Sequence, residues 1–179
     1  MTDMKKIDSA DALVVSGAGL EVFLSDITAS YKDLPVIDSS EGIALLEMCA
    51  DHDAHEGHEH ENDPHIWLDC SNAAKQTENI CAALCELLPR YEEQFNANSS
   101  AYVNTLKALS DELGTELSEL SSRELITFHD GFAYLADAFD LHILRAIEEE
   151  SGREASAKEL IHIIEEVEHH NLHAVFTEK

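Results

Sequence analysis

The segment Asp51–Asp69 (DHDAHEGHEHENDPHIWLD) combines five histidines with seven carboxylates and contains no Lys or Arg. Neutral imidazole and carboxylate are both ligands of divalent transition metals. A solvated acidic loop does not require histidines, and a hydrophobic core excludes so many acids. We therefore predict a divalent-metal site within this segment, preceded by a loop that collects metal ions.

Four of the histidines lie in the low-complexity part of the segment, DHDAHEGHEHEND, which has no core-forming pattern. Imidazoles in such a tract can hold metal ions loosely without prior folding. The alternative interpretation is a solvated acidic loop. The zinc-protease pattern HExxH is absent, since Glu59 stands where its second histidine would be. These auxiliary candidate ligands are His52, His55, His58 and His60.

His65 follows the tract in the motif DPHIWLD. Pro64 restricts the residue before it to extended geometry and so stiffens the entry to the motif. Trp67 and Leu68 are predicted to anchor its exit in apolar surroundings. A histidine on a rigid turn suits a metal ligand, because metals require fixed geometry. The carboxylate of Asp63 or Asp69 is predicted to accept the second ring N–H and so set the tautomer.

His129 is the second candidate ligand and ends the β-branched run LITFH. In parallel α/β sheets, ligands bind beyond the carboxyl ends of the strands. We therefore expect His129 to face a binding crevice and not the core.

The remaining histidines and the cysteines are interpreted as structural. On or near the last predicted helix, histidines commonly complement the negative end of the helix dipole, although spacings of four can also bind metal. The cysteines show no CxxC spacing. Cys81 and Cys85, four apart in a helical pattern, are expected to be small buried thiols and not a bridge, and Cys70 is an alternative zinc ligand. The histidines in this group are His142, His162, His169, His170 and His173.

Strands and helices alternate along the chain, which predicts an α/β fold with parallel sheets and helical crossovers. The predicted strands are Ala12–Gly17, Leu34–Ser40, Glu124–Asp130, Leu141–Ile147 and Leu172–Glu178. The predicted helices are Thr2–Ser9, Gly19–Ser30, Ser71–Leu88, Tyr91–Ser121, Gly131–Asp140 and Ser156–Asn171.

Helix Tyr91–Ser121 has the longest periodic pattern and would be roughly 45 Å long. It is interpreted either as a surface helix of one domain or as a rod that joins two lobes. Its predicted apolar face is Phe95, Tyr102, Leu106, Leu109, Leu113, Leu117 and Leu120. Helix Gly19–Ser30 is predicted to bury Leu20, Phe23, Leu24 and Ile27.

The composition restricts the classes of partner. The chain has 179 residues, 44% of them hydrophobic, and a formal net charge of -26. Such a charge repels nucleic acid and anionic lipid and attracts cations, although solubility is an alternative cause. No apolar run approaches the ~20 residues of a membrane span, and nothing near Met1 resembles a secretion signal. Taken literally, this predicts a cytosolic protein.

Five ordered motifs resemble the solute-binding receptors of zinc and manganese ABC transporters, the ZnuA/TroA-like family (cluster A-I). They are SADALVVSGAGLEVFL, DPHIWLD, ITFHDGFAYLADAFDL, SAKELIHIIEEVE and AVFTE. The resemblance implies two α/β lobes joined by a long rigid helix, with the metal in the cleft between them. It assigns His65 and His129 as ligands of Zn²⁺, with Mn²⁺ as the alternative. It also implies an extracytoplasmic or lipid-anchored receptor that delivers the ion to a membrane permease.

Departures from the family pattern predict a shortened form. The family has a further histidine ligand upstream of the segment matching MTDMKKI and an acidic ligand beyond VFTE, and Cys70 stands where it has proline. We expect an internal fragment that lacks the signal sequence and the outer strands of both lobes. Exposed sheet edges would then favour self-association. The expected domains are residues 1–88 with the His-rich loop 51–62, a linking helix 89–122, and a partial second lobe 123–179.

Two other functional classes are weighed against this expectation of a non-enzymatic receptor. A metal-buffering or adhesion protein would use only the His-rich loop. A zinc-dependent hydrolase would need a third fixed ligand, an open coordination position and a poised general base. We find no motif with all three.

Overall fold

A computed structural model describes residues 2–47, 62–148, 156–172 and 175–176. Two compact units are present, the first formed by Met1–Leu45 with Cys70–Ser110 and the second by Leu46–Asp69 with Asp111–Lys179. Each contains a small parallel sheet and helices, which confirms the predicted α/β class. The domain boundaries at residues 88 and 122 stay a prediction, because compact units show where contacts concentrate and not which parts fold alone.

The first unit is built on two short parallel strands. Helix α1 (Thr2–Ile7) precedes strand β1 (Leu13–Val15), helix α2 (Ser25–Ser30) follows it, and strand β2 (Val36–Asp38) pairs with β1. The β-branched run Val14–Val15 explains β1. Both strands were predicted, although each is shorter than its sequence pattern.

The helix predicted at Gly19–Ser30 is wrong in its first half. Residues Val22–Leu24 form a 3₁₀ turn, only α2 is α-helical, and Phe23 is 76% exposed instead of buried. The chain first makes a tight turn in which Gly17 and Gly19 both have positive φ. The carboxylate of Glu21 closes this turn by accepting the N–H groups of Ser16 and Gly17, and the backbone of Glu21 itself is not helical.

Two long helices supply the core of the first unit. Helix α3 (Cys70–Leu87) is followed by a 3₁₀ turn that begins at Pro89, and helix α4 (Glu92–Ser118) is about 40 Å long at 1.5 Å per residue. The small side chains of Ala73 and Ala74 let α3 approach Val103 and Leu106 of α4. The predicted apolar face of α4 is therefore only partly correct. Leu106 is buried, whereas Tyr102 and Leu109 are exposed and Leu120 lies beyond the helix end.

The second unit has a strand–helix–strand arrangement with a buried central strand. Strand β3 (Glu124–His129) leads to helix α5 (Ala133–Phe139), then to strand β4 (His142–Glu148), which is parallel to β3, and to helix α6 (Ala157–His169). Phe176 pairs in parallel with Thr127, as expected for the last predicted strand, whose other residues lie mostly outside the described ones. Within the described residues, no helix has the length and apolarity that a membrane crossing requires.

Candidate metal centre

His65 lies at the start of a tight turn that one apolar side chain holds. Pro64 and His65 are buried, and a 3₁₀ turn follows at Ile66–Leu68. Ile66 is 0% exposed and is the anchor of this turn. The prediction that Trp67 anchors it is wrong, because Trp67 is 38% exposed. Its ring instead lies beside the His65 imidazole, with the ring centroids 5.3 Å apart.

Asp63 orients His65 through two hydrogen bonds to one carboxylate oxygen. The backbone N–H of His65 donates to Oδ1 at 2.8 Å, and ring atom Nδ1 lies 2.7 Å from the same oxygen. Asp63 is 2% exposed, so water does not compete for this carboxylate. Because a carboxylate can only accept, Nδ1 carries the ring proton and Nε2 presents its lone pair. This is the tautomer that a metal ligand needs, and Asp63 was one of its two predicted partners.

His129 presents its own Nε2 to the same point. It is the last residue of β3 and is half-buried. Its Nε2 lies 3.2 Å from Nε2 of His65, and the two rings are nearly perpendicular, at 77°. Two nitrogens bound to one tetrahedral zinc at roughly 2.0–2.1 Å would be about 3.3 Å apart. The structure therefore brings the two predicted ligands together at a spacing that one ion can bridge.

Gly131 is packed directly beneath the two imidazoles. A Cβ atom at this position would lie 3.0 Å from Nε2 of His65 and 3.0 Å from Cδ2 of His129. The backbone of Gly131 does not have a positive φ, so the close approach of the rings is the reason for glycine here.

We expect Gly131→Val to lower zinc affinity roughly tenfold, because overpacking costs about 1–3 kcal/mol and here it displaces both imidazoles. Competition with a chromophoric chelator measures the change. Gly114→Val is the matched control, since a Cβ at Gly114 of α4 would meet only Phe139, at 4.0 Å. Unchanged affinity in Gly131→Val would show that the rings can move apart without loss.

The hydroxyl of Tyr134 on α5 supports the backbone next to His65. It accepts a hydrogen bond from the N–H of Leu46 at 2.9 Å and donates one to the carbonyl of Asp63 at 3.0 Å. Burial raises the pKa of this hydroxyl, the Leu46 bond lowers it, and the Asp63 charge raises it further. With a raised pKa, the hydroxyl keeps the proton that it donates to Asp63.

Sequence reasoning did not identify Gly131 or Tyr134. The helical spacing in Gly131–Asp140 predicts an apolar face of Phe132, Leu135, Ala136 and Phe139, yet Tyr134 and Ala136 are the buried side chains of α5. One usable signal was the glycine two positions after His129, since glycine permits close approach. The partners of Tyr134 could not be read locally, because Leu46 and Asp63 are distant in sequence.

The other candidate ligands do not complete a metal site in the part of the chain that the structure describes. The auxiliary ligands His52, His55, His58 and His60 lie outside the described residues, as do Cys49 and His173. Among the described residues, no group of three or more His, Cys, Asp or Glu side chains is arranged to hold a metal ion. Cys70 is a buried thiol at the start of α3 and forms no disulfide with another described cysteine.

Of the histidines interpreted as structural, several contact carboxylates or each other. His170 lies between Glu124, at 2.9 Å, and Glu166, at 3.3 Å, and so links the end of α6 to the start of β3. His162 pairs with Glu165 on the exposed side of α6. The His169 ring packs edge-on against His170.

Comparisons with known proteins give the family of this chain. The family described as "Zinc-uptake complex component A periplasmic" (ZnuA) matches residues 1–179. The chain belongs to the ZnuA family. The zinc-binding protein AdcA of Streptococcus pyogenes is 30% identical over 193 residues, which cover 99% of this chain and 38% of AdcA. The iron-binding protein YfeA of Yersinia pestis is 29% identical, over 98% of this chain and 56% of YfeA.

The fold is also that of ZnuA. A crystal structure of ZnuA matches with a TM-score of 0.87 and 34% identity, over 98% of this chain and 66% of that one. The chain thus spans well under half the length of AdcA and about two thirds of the ZnuA structure. The ZnuA family consists of solute-binding receptors and not of enzymes, which is the class that the sequence motifs predict.

Proposed function

We propose that this chain is the metal-binding part of a zinc receptor that acts outside the cytoplasm and delivers Zn²⁺ to an ABC permease. His65 and His129 bind the ion through their Nε2 atoms. The observation that carries the proposal is the 3.2 Å separation of these two atoms. Asp63 supports it further, because it leaves the Nε2 lone pair of His65 free of a proton.

Zinc is the favoured cargo because both proposed ligands are imidazoles. Manganese, the alternative, prefers sites with more oxygen ligands. The two histidines give two of the about four ligands that zinc takes, and water or a histidine of the tract can supply others. The name of AdcA supports zinc, whereas YfeA is named for iron, so the metal is decided by titration and not by relatedness.

The auxiliary histidines of the tract are proposed to capture ions and raise their concentration near the site. With a formal net charge of -26, the protein attracts cations over a longer range. The rival function, metal buffering or adhesion through the tract alone, assigns all binding to His52, His55, His58 and His60. The two proposals differ in what remains when the tract is removed.

We expect a chain in which residues 48–61 are replaced by Asn-Gly to keep one tight zinc site and lose the weak ones. Glu47 and Asn62 form an antiparallel bridge, and Asn-Gly is the favoured two-residue hairpin turn between such partners. Isothermal titration calorimetry gives the number and affinity of the sites. Loss of nearly all binding would support the buffering protein instead.

The matched control keeps the length of the tract and replaces its four histidines by asparagine. It should lose the weak sites, like the shortened chain, and keep the tight one. A tight site that is present in the control and absent from the shortened chain would indicate that the deletion had disturbed the turn at His65. The two variants together therefore separate loss of ligands from loss of structure.

A further inference from the structure

Three hydrogen bonds close the base of the segment between Leu46 and Asp63. The hydroxyl of Tyr134 accepts from the N–H of Leu46 and donates to the carbonyl of Asp63. The N–H of Asp63 donates to the carbonyl of Leu46 at 2.9 Å. Glu47 and Asn62 pair next to them. One side chain, which is 3% exposed, thus binds both ends of the segment at once.

This closure connects directly to the proposed ligands. The carbonyl of Asp63 bonds Tyr134, while its carboxylate holds the backbone and ring of His65. A shift of the Asp63 backbone would therefore move the His65 imidazole with it. Tyr134 itself belongs to α5, the helix that follows His129. Tyr134 thus links the residue that orients one histidine to the element that follows the other.

We propose that the Tyr134 hydroxyl is a positioning group that holds His65 at its spacing from His129 by binding the backbone of both Leu46 and Asp63. The inference rests on the proposed metal site at these two histidines. The entropic cost of joining two chain ends grows with the length of the loop between them. Bonds from one buried hydroxyl to both ends offset that cost at the point where the spacing of the imidazoles is set.

The first test is Tyr134→Phe, which keeps the ring and removes the hydroxyl. We expect zinc affinity to fall about tenfold, the lower end of the loss that follows removal of a direct outer partner of a metal ligand, because Tyr134 acts on that partner, Asp63. Chelator competition measures the affinity, and thermal unfolding without metal checks the fold. Tyr31→Phe is the matched control, since it removes a hydroxyl bonded to Asp8 in the first unit, and it should change affinity less than twofold. Unchanged affinity in Tyr134→Phe overturns the inference.

The second test repeats Tyr134→Phe in the chain with Asn-Gly in place of residues 48–61. A two-residue turn holds Leu46 and Asp63 together without help, so the loss should shrink to less than about threefold. An equal loss in both chains would mean that Tyr134 only supports the core, and would overturn the inference. If the variant folds only in the shortened chain, the closure role is supported. Failure to fold in both chains overturns it.

His129→Ala in the same assay separates this inference from the proposed function. If His129→Ala keeps wild-type affinity, the metal site itself is wrong. If His129→Ala loses affinity while Tyr134→Phe does not, only the role of Tyr134 is wrong.

Discussion

His129→Ala and His65→Ala are each expected to lower zinc affinity at least about 100-fold, because loss of only an outer partner of a ligand already costs about 10–100-fold. Each substitution removes one of the two nitrogens that face each other at 3.2 Å. Isothermal titration calorimetry with Zn²⁺ measures the change. Of the two, His129→Ala is easier to interpret, since His129 is half-buried and its loss leaves the Asp63–His65 pair intact.

Thermal unfolding gives a second readout of the same prediction. Zinc at 100 times its dissociation constant stabilises the folded protein by about 2.7 kcal/mol, which raises the melting temperature by roughly 5–10 °C. This rise should disappear in His129→Ala. His142→Ala is the matched control, because this exposed histidine starts β4. A zinc-dependent rise that persists in His129→Ala would place the tight site elsewhere.

Much of the fold could be predicted because its signals are local. The strands β1 to β4 follow from β-branched runs, and α3 and α6 from helical periodicity. The 3₁₀ turn after β1 could not be predicted in the same way, because its apolar residues mimic a helical face. The turn is set instead by the positive φ of Gly17 and Gly19 and by the Glu21 carboxylate, which accepts the N–H groups of Ser16 and Gly17.

The helix faces show a second limit of periodicity. The repeat in α4 predicted a stripe that included Tyr102, yet the neighbouring Val103 is buried against α3. Periodicity gives the presence of an apolar face but not which part of it a partner covers. Here the covered part is set by Ala73 and Ala74, because their small side chains allow α3 to approach α4 at Val103 and Leu106.

In the candidate site, too, contacts between residues close in sequence could be predicted and contacts between distant residues could not. The Asp63–His65 pair could be predicted because the two residues are two positions apart and Pro64 stiffens the backbone between them. The position of His129 followed from its place at a strand end. The Tyr134 bonds to Leu46 and Asp63 span 88 and 71 residues along the chain, so no local pattern reports them. Ile66 is buried and Trp67 is not. The sequence could not predict this, because an irregular turn has no periodic pattern that indicates which side chain is buried.

Asp63→Asn is expected to lower zinc affinity about 10–100-fold while it keeps the size of the side chain. The carboxylate accepts both His65 N–H groups, and in the ordinary protein it keeps the ring proton on Nδ1. An asparagine can turn its NH₂ group toward Nδ1 and donate to it. The ring proton then moves to Nε2, the nitrogen that faces His129, and blocks the lone pair that the ion needs.

Nitrogen-15 NMR of the histidine rings tests this cause separately from the affinity. Asp63→Asn should show His65 protonated at Nε2, whereas the wild type should show it protonated at Nδ1. Asp137→Asn, at an exposed position of α5, is the matched control and should change neither the tautomer nor the affinity. Weaker binding with the tautomer unchanged would mean that the negative charge of Asp63 strengthens zinc binding by raising the basicity of the His65 ring. Wild-type affinity with the proton on Nε2 would remove His65 from the ligands altogether, because a nitrogen that carries a proton cannot also donate a lone pair to zinc.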